Sequence, residues 1–185
     1  MMDLKFDVSG IVRTGQHFGA AAKAVPLAKA RAINHTGDKT RTAMRIALVG
    51  QTGLTRRTTN KALRSTRASA KGGSAYVIRA AGGDIRLKFF KARETRQGVT
   101  ASPWNKRSLY AKTFMKGGRF PNRVTLNMKG AVLIRAGKAR HPLRTVKSGL
   151  FIAEEMVTGQ SEAAFHQTVA RDLPARIAHE LARIL

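Results

Sequence analysis

Apolar and polar residues alternate strictly at the start of the chain and then give way to an alanine-rich segment. The alternation over residues 2–8 predicts a short β-strand that buries one face. Residues 16–49 are rich in alanine, the best helix former, and their apolar positions recur at helical spacing. We therefore expect a long helix with two weak points. It restarts or kinks at Pro26, because proline cannot occupy an ordinary interior position, and residues 34–38 are a second interruption.

A shorter, basic helix is predicted to follow, because Thr55 is a favourable N-cap residue. Its basic residues are Arg56, Arg57, Lys61, Arg64 and Arg67, and the Lys-Gly-Gly-Ser run at residues 71–74 ends it. Residues 40–67 are also compatible with a helix-turn-helix, in which arginine and asparagine side chains of the second helix would contact base edges. The alternative is a basic helix that contacts phosphate or an acidic partner.

Strand patterns dominate the middle of the chain. Residues 75–80 and 85–90 flank Ala-Gly-Gly-Asp, which predicts a hairpin, and the alternation in the second strand gives it a basic solvent face. Further strand-like runs occur at residues 98–101, 109–115, 124–128 and 131–135, and we expect a flexible, basic loop at residues 116–122.

The end of the chain returns to a helical pattern. Apolar residues recur every four positions from Phe165 to Leu185, and Pro174 leaves open whether residues 159–185 form one helix or two, with Asp172 as a cap. The fold class we predict is α+β: N-terminal helices, an antiparallel sheet, and a C-terminal helix packed on the sheet. We expect a single domain over residues 1–185, in which residues 1–50 are also compatible with a strand and a long helical arm.

The charge narrows the class of function more than any single motif. The chain has 35 lysines and arginines against 10 aspartates and glutamates, a formal net charge of +25 on 185 residues. Residues 86–147 carry 17 basic and 1 acidic residue, whereas residues 148–185 carry 3 basic and 5 acidic ones. Such a chain is expected to work beside a polyanion or against an acidic partner.

The residues that most enzymes and metal sites require are scarce. There is no cysteine, no His-Glu-x-x-His and no Gly-x-Ser-x-Gly motif, and the glycine pairs at residues 82–83 and 117–118 do not continue into a phosphate-binding loop. Glu154 and Glu155 are adjacent and diverge on either a helix or a strand, so they make a poor catalytic pair. We therefore expect a protein that is not an enzyme and uses no cofactor or metal. Apolar runs are too short to span a membrane and no signal peptide is recognisable, so we expect no membrane contact.

Several segments in order resemble the phage minor tail protein Z family. They are residues 30–54, residues 85–104, and then Thr-Phe-Met at 113–115, Val-Leu-Ile-Arg at 132–135 and Arg-His-Pro-Leu at 140–143. The resemblance covers roughly residues 30–185. One departure lies after this series, where residues 147–152 lack a Gly-Pro pair that is frequent in the family.

The resemblance implies a structural virion protein of tailed phages, which acts in tail completion as a neck component at the head–tail junction. Such proteins are small α+β subunits that form rings, often hexameric. The implied location is the virion, in the tail or neck, after assembly in the host cytoplasm. The implied partners are copies of the same chain and other neck and tail proteins.

A ring on the DNA exit path would use basic side chains toward DNA, without sequence specificity, or toward acidic partner subunits. The candidate residues are Arg86, Lys88, Lys91, Arg93, Arg96, Lys106, Arg107, Lys116, Arg119 and Arg123. The aromatic residues Trp104, Phe114 and Phe120 are the candidate anchors of subunit contacts. The alternative function is a stand-alone nucleic-acid-binding protein without sequence specificity.

Overall fold

The computed structural model describes residues 2–7, 24–119 and 121–184, and it confirms the α+β class. A long N-terminal helix packs against a long C-terminal helix, and several small antiparallel sheets lie between them in sequence. The helices are α1 (Val25–Thr52), α2 (Arg56–Ala62), α3 (Ile152–Met156) and α4 (Gly159–Ala182).

The described strands form four small sheets, and all their pairings are antiparallel. The first has the order β1-β3-β2, formed by Met2–Asp7, Ala75–Ala80 and Leu63–Thr66. The second has the order β4-β5-β6, formed by Arg93–Thr95, Gly98–Ala101 and Ser108–Ala111. The third has the order β11-β10-β7, formed by Leu143–Thr145, Leu133–Arg135 and Thr113–Phe114, and a fourth pairs β8 (Lys116–Gly117) with β9 (Val124–Thr125).

Helix α1 begins at Val25, so Pro26 lies in its first turn, where a missing N–H costs little. Residues 16–23, the predicted beginning of this helix, lie outside the described residues. The helix ends at Gly53, whose left-handed conformation (φ 75°) lets its N–H donate to the Val49 carbonyl at 3.1 Å. A side chain at Gly53 would also approach the Ser102 carbonyl to 2.9 Å, so this position needs glycine for two reasons.

The interruption expected at residues 34–38 is wrong, because tertiary contacts keep α1 continuous there. Gly37 lies directly under the buried ring of Tyr76, where a β-carbon would be 2.3 Å from Cγ of the ring. The Tyr76 hydroxyl donates to Asp38 at 2.8 Å. The side-chain amide of Asn34 exchanges two hydrogen bonds with the backbone of Ala68, at 2.8 and 3.0 Å. Residues typical of a break therefore form contacts with the β1-β3-β2 sheet and with the segment between β2 and β3.

The C-terminal periodicity predicts a face that the structure buries. Phe165 and Leu173 join the core, and Val169 and Ile177 pack against it. A single helix continues through Pro174, which decides between the two alternatives left open for residues 159–185. Its main packing partner is α1 rather than a sheet, which corrects the expected position of this helix.

Asp172 does not cap a helix. It lies in the interior of α4. Its carboxylate accepts from Arg171 at 2.6 Å and pairs with Lys39 of α1 at 3.4 Å, so it connects the two long helices. The guanidinium of Arg171 lowers the pKa of Asp172 to about 2.

The predicted hairpin between residues 75–80 and 85–90 is wrong. Strand β3 pairs with β1 and β2 instead, and Leu87–Phe89 form a single 3₁₀ turn. Leu87 and Phe90 are fully buried, a spacing of three that suits a tight helical turn, while Phe89 is exposed. Backbone bonds to the segment that follows β11 hold these residues, because Ile85 donates to Leu150 at 3.0 Å.

The other local predictions are confirmed in part. Thr55 caps α2, with its side chain accepting from the Thr58 N–H. The helix ends at Ala62, however, so Arg64 lies on strand β2, whereas Arg56, Arg57 and Asn60 lie on the second helix as predicted. Strand β5 matches its prediction residue for residue, whereas the run at 109–115 divides at Lys112, which has φ 59°.

Candidate functional site

Eight of the ten predicted basic residues are exposed, and Lys88 and Arg123 are half-buried. They do not form one continuous site. Three of them, Arg96, Lys116 and Arg123, line one cleft of about 450 Å³ among the small sheets. We call it the strand cleft. It is lined by the β4–β5 turn, β7, β8 and the end of β10.

The strand cleft is strongly basic. Its cations are Arg96, Lys112, Lys116, Arg123 and Arg135, and Glu94 is its carboxylate. Glu94 pairs with Arg123, and within the described parts of the chain the other four cations form no ion pair. Four positive charges on flexible side chains around an open cleft favour an anionic partner, and their effect is strongest at low salt.

Arg123 holds the cleft together instead of facing a partner. Its guanidinium pairs with Glu94 of β4 and donates to the carbonyls of Lys116 at 2.8 Å and Gly118 at 2.9 Å. Both members of the ion pair are largely shielded from solvent, with side-chain exposures of 19% for Arg123 and 11% for Glu94. The residue therefore attaches the β8–β9 hairpin to β4, and so positions Lys116 at the cleft.

The remaining predicted cations are distributed around the small sheets. Arg86 forms a β-bridge with Lys147, and Lys88 donates to the Lys129 carbonyl at 3.2 Å and lies over the Phe89 ring at 5.1 Å. Arg107 donates to the Thr100 hydroxyl at 2.8 Å. Exposed positions in turns and strands hold the others, which are Lys91, Arg93, Lys106 and Arg119.

The aromatic anchors differ in their surroundings. Trp104 is 41% exposed in the 3₁₀ turn Pro103–Asn105, and its indole N–H donates to Glu155 of α3 at 2.6 Å. Phe114 is half-buried on β7, opposite Leu133, and lines the strand cleft. Phe120 lies outside the described residues. Trp104 is thus held by a hydrogen bond while part of its surface stays exposed, which suits an interface residue.

Two cations of the strand cleft, Lys112 and Arg135, are not among the candidates that the sequence indicates. Both lie in runs that were predicted as strands, at 109–115 and 131–135. The pairing of β7 with β10 brings those runs together, with Ile134 opposite Thr113. The available signal was therefore a charged residue in each of two strands, but no local pattern indicates that the two strands pair.

The described residues show no arrangement of three or more histidine, aspartate or glutamate side chains that could hold a metal ion. None of the helices in the described ranges has the length and apolar character that a membrane crossing requires.

The comparisons with known proteins are negative. No family model, curated protein or solved structure matches this chain. The resemblance to the minor tail protein Z family therefore remains a prediction.

Proposed function

We propose that this chain is a structural virion protein of a tailed phage, a tail-completion or neck component that forms an oligomeric ring at the head–tail junction. A hexamer is the favoured ring. The proposal rests on two features. Segments within residues 30–185 resemble the minor tail protein Z family in their order, and the small sheets have an exposed basic surface. It includes no enzymatic activity and no cofactor.

The observation that carries the proposal is the strand cleft. Arg96, Lys112, Lys116 and Arg135 come from four different segments, and no carboxylate among the described residues pairs with them. Fixing like charges together is unfavourable in an isolated subunit, and a polyanion beside them would remove this cost. Because the cations are long, flexible side chains, they suit phosphate contacts that carry no base specificity.

The partner of this basic surface is DNA in the ring lumen or an acidic neighbouring subunit. If the partner is DNA passing through the ring, its contacts should lack sequence specificity, because tight binding at a specific sequence would impede the movement of the DNA. An acidic neck or tail subunit would use the same cations as rim charges that guide assembly. In both cases the interaction weakens as the salt concentration rises.

Subunit contacts in the ring would use exposed apolar side chains and strand edges. Leu109 is 46% exposed on β6, and Val124 is 67% exposed on β9. Strands β4 and β6 are both edges of their sheet, so their backbone groups can pair with a neighbouring chain. With Trp104, Phe114 and Phe120 as anchors, these features fit an assembly of identical subunits.

The test is the oligomeric state of the purified protein, alone and with purified tail tubes. Native mass spectrometry and negative-stain electron microscopy should show a closed ring, in solution or at the end of the tube that joins the head. Unassembled protein should bind duplex DNA weakly at physiological salt. A monomer or dimer that binds duplex DNA or RNA strongly at this salt concentration would contradict the proposal and favour a stand-alone nucleic-acid-binding protein.

A further inference from the structure

A second basic cleft lies on different elements from the strand cleft. We call it the edge cleft, because it is built around the edge strand β2, the end of α2 and one side of α1. Its volume is about 590 Å³. Its charged residues among those described are Arg41, Lys61, Arg64 and Arg79, without a carboxylate. Asn60, Ser65 and Thr66 add neutral polar groups to its lining.

Arg41 is held in the cleft by neutral groups. Its guanidinium donates to the Asn60 side-chain oxygen at 3.4 Å and to the Leu63 carbonyl at 3.2 Å. Its Nε is buried and has no hydrogen-bond partner among the described residues. These contacts fix the guanidinium without neutralising its charge. A half-buried cation of this kind is stabilised when an anion comes within reach.

Arg64 and Arg79 add a second unusual feature. The register of β2 and β3 places them directly opposite each other, and like charges at opposed positions destabilise a sheet. Arg79 donates to the Thr66 hydroxyl at 3.3 Å and lies opposite Asp3 of β1 on its other side. Arg41, Lys61 and Arg64 form no ion pair with any described residue, so three positive charges of the cleft are not neutralised there.

We propose that the edge cleft binds phosphate groups. Arginine presents a planar fork of N–H donors that matches phosphate oxygens, while lysine and hydroxyl groups supply further donors from other directions. Three or four cations around one cleft match the charge of two or more linked phosphates better than that of a single carboxylate. The source is either a nucleic-acid backbone or a free polyphosphate. The site goes beyond the proposed neck function, which uses residues 86–135.

The test is binding of inorganic tripolyphosphate to the full-length protein at 150 mM salt, followed by isothermal titration calorimetry. We expect saturable binding that includes one site per chain in the edge cleft. R64Q should weaken it by about tenfold, the effect of losing one charge-assisted hydrogen bond. The matched control is R57Q, which removes the same charge from the exposed face of α2 outside the cleft and should change the affinity less than about twofold.

K61Q is a second variant of the edge cleft, for use if R64Q proves unstable. It should also weaken the binding of tripolyphosphate. Circular dichroism melts identify any variant that fails to fold. Absence of saturable binding to the wild type, or equal weakening by R64Q and R57Q, would overturn the proposal.

A short DNA duplex distinguishes the two sources. Displacement of tripolyphosphate by the duplex would identify a nucleic-acid backbone, and lack of displacement would identify a free polyphosphate. The oligomeric state of R64Q is measured in parallel. A ring that persists in R64Q while tripolyphosphate binding is lost would separate this site from the neck function.

Discussion

Replacing Gly37 by alanine tests how α1 and the β1-β3-β2 sheet are joined. At an exposed position in the interior of a helix, replacing glycine by alanine stabilises the folded protein by about 1 kcal/mol, because alanine has the higher helix propensity. At Gly37 the added β-carbon would lie 2.3–2.6 Å from three carbons of the Tyr76 ring, far inside van der Waals contact. The ring cannot move away easily, because it is fully buried and its hydroxyl donates to Asp38.

The expected result is a net loss of stability. Overpacking in a well-packed core costs about 1–3 kcal/mol, and this contact lies at the severe end because the ring and a helix backbone meet directly. After the gain in helix propensity is subtracted, we expect G37A to lose about 2 kcal/mol. This corresponds to a decrease in melting temperature of roughly 4–8 °C for a chain of this size.

G50A is the matched control in the same helix. Gly50 is exposed, and its added β-carbon would meet only the Gln160 side chain, at an ordinary distance of 3.7 Å. G50A should therefore raise the free energy of unfolding, measured by urea titration, by up to about 1 kcal/mol. If G37A were as stable as the wild type, or gained stability as G50A does, the packing of Tyr76 on α1 would be wrong.

Three further predictions concern the strand cleft and the two long helices. R123M should lower the free energy of unfolding in urea by about 3 kcal/mol, because it leaves the shielded carboxylate of Glu94 without its ion-pair partner. R119M, at an exposed position, should change it by less than about 0.5 kcal/mol. K112Q should reduce the salt dependence of DNA binding by the assembled protein by about one unit in the log–log slope, and K138Q, outside the cleft, should not. Because the pKa of Asp172 is lowered to about 2, its contribution to stability is present above pH 4 and is lost as the pH falls toward 2. The melting temperature of D172N should therefore decrease less between pH 5 and pH 2 than that of the wild type.

Local signals explain the parts of the fold that could be predicted. The periodicity of residues 159–185 predicts α4, because one buried face of a helix repeats every three to four residues. Thr55 predicts the start of α2, because capping depends only on adjacent residues. Strand β5 is likewise predicted by its own composition and the turns beside it.

Long-range contacts explain the errors. The segment after Ala-Gly-Gly-Asp has a hairpin-like pattern, yet residues 85–90 instead bond to the segment after β11, about sixty residues later in the chain. Asn34 and Gly37 look like breaks until Ala68 and Tyr76 are placed beside them. Buried tertiary contacts override the local secondary-structure propensity of these residues. No local pattern shows which of these contacts will form.

The same distinction applies to the candidate site. Arg96 and Lys116 could be predicted as basic residues of exposed turns, but the cleft that they share with Lys112 and Arg135 depends on the pairing of β7 and β10. The edge cleft was hidden for a similar reason. The local pattern predicts a helix at Arg64, whereas its position on β2 brings it opposite Arg79.

The most direct test of the proposed function is electron microscopy of tail tubes assembled with and without this protein. The proposal predicts a closed ring of identical subunits, six in the favoured case, at the end of the tube that joins the head, and its absence when the protein is omitted. Protein that never associates with tubes and is recovered as a monomer bound to nucleic acid would contradict it.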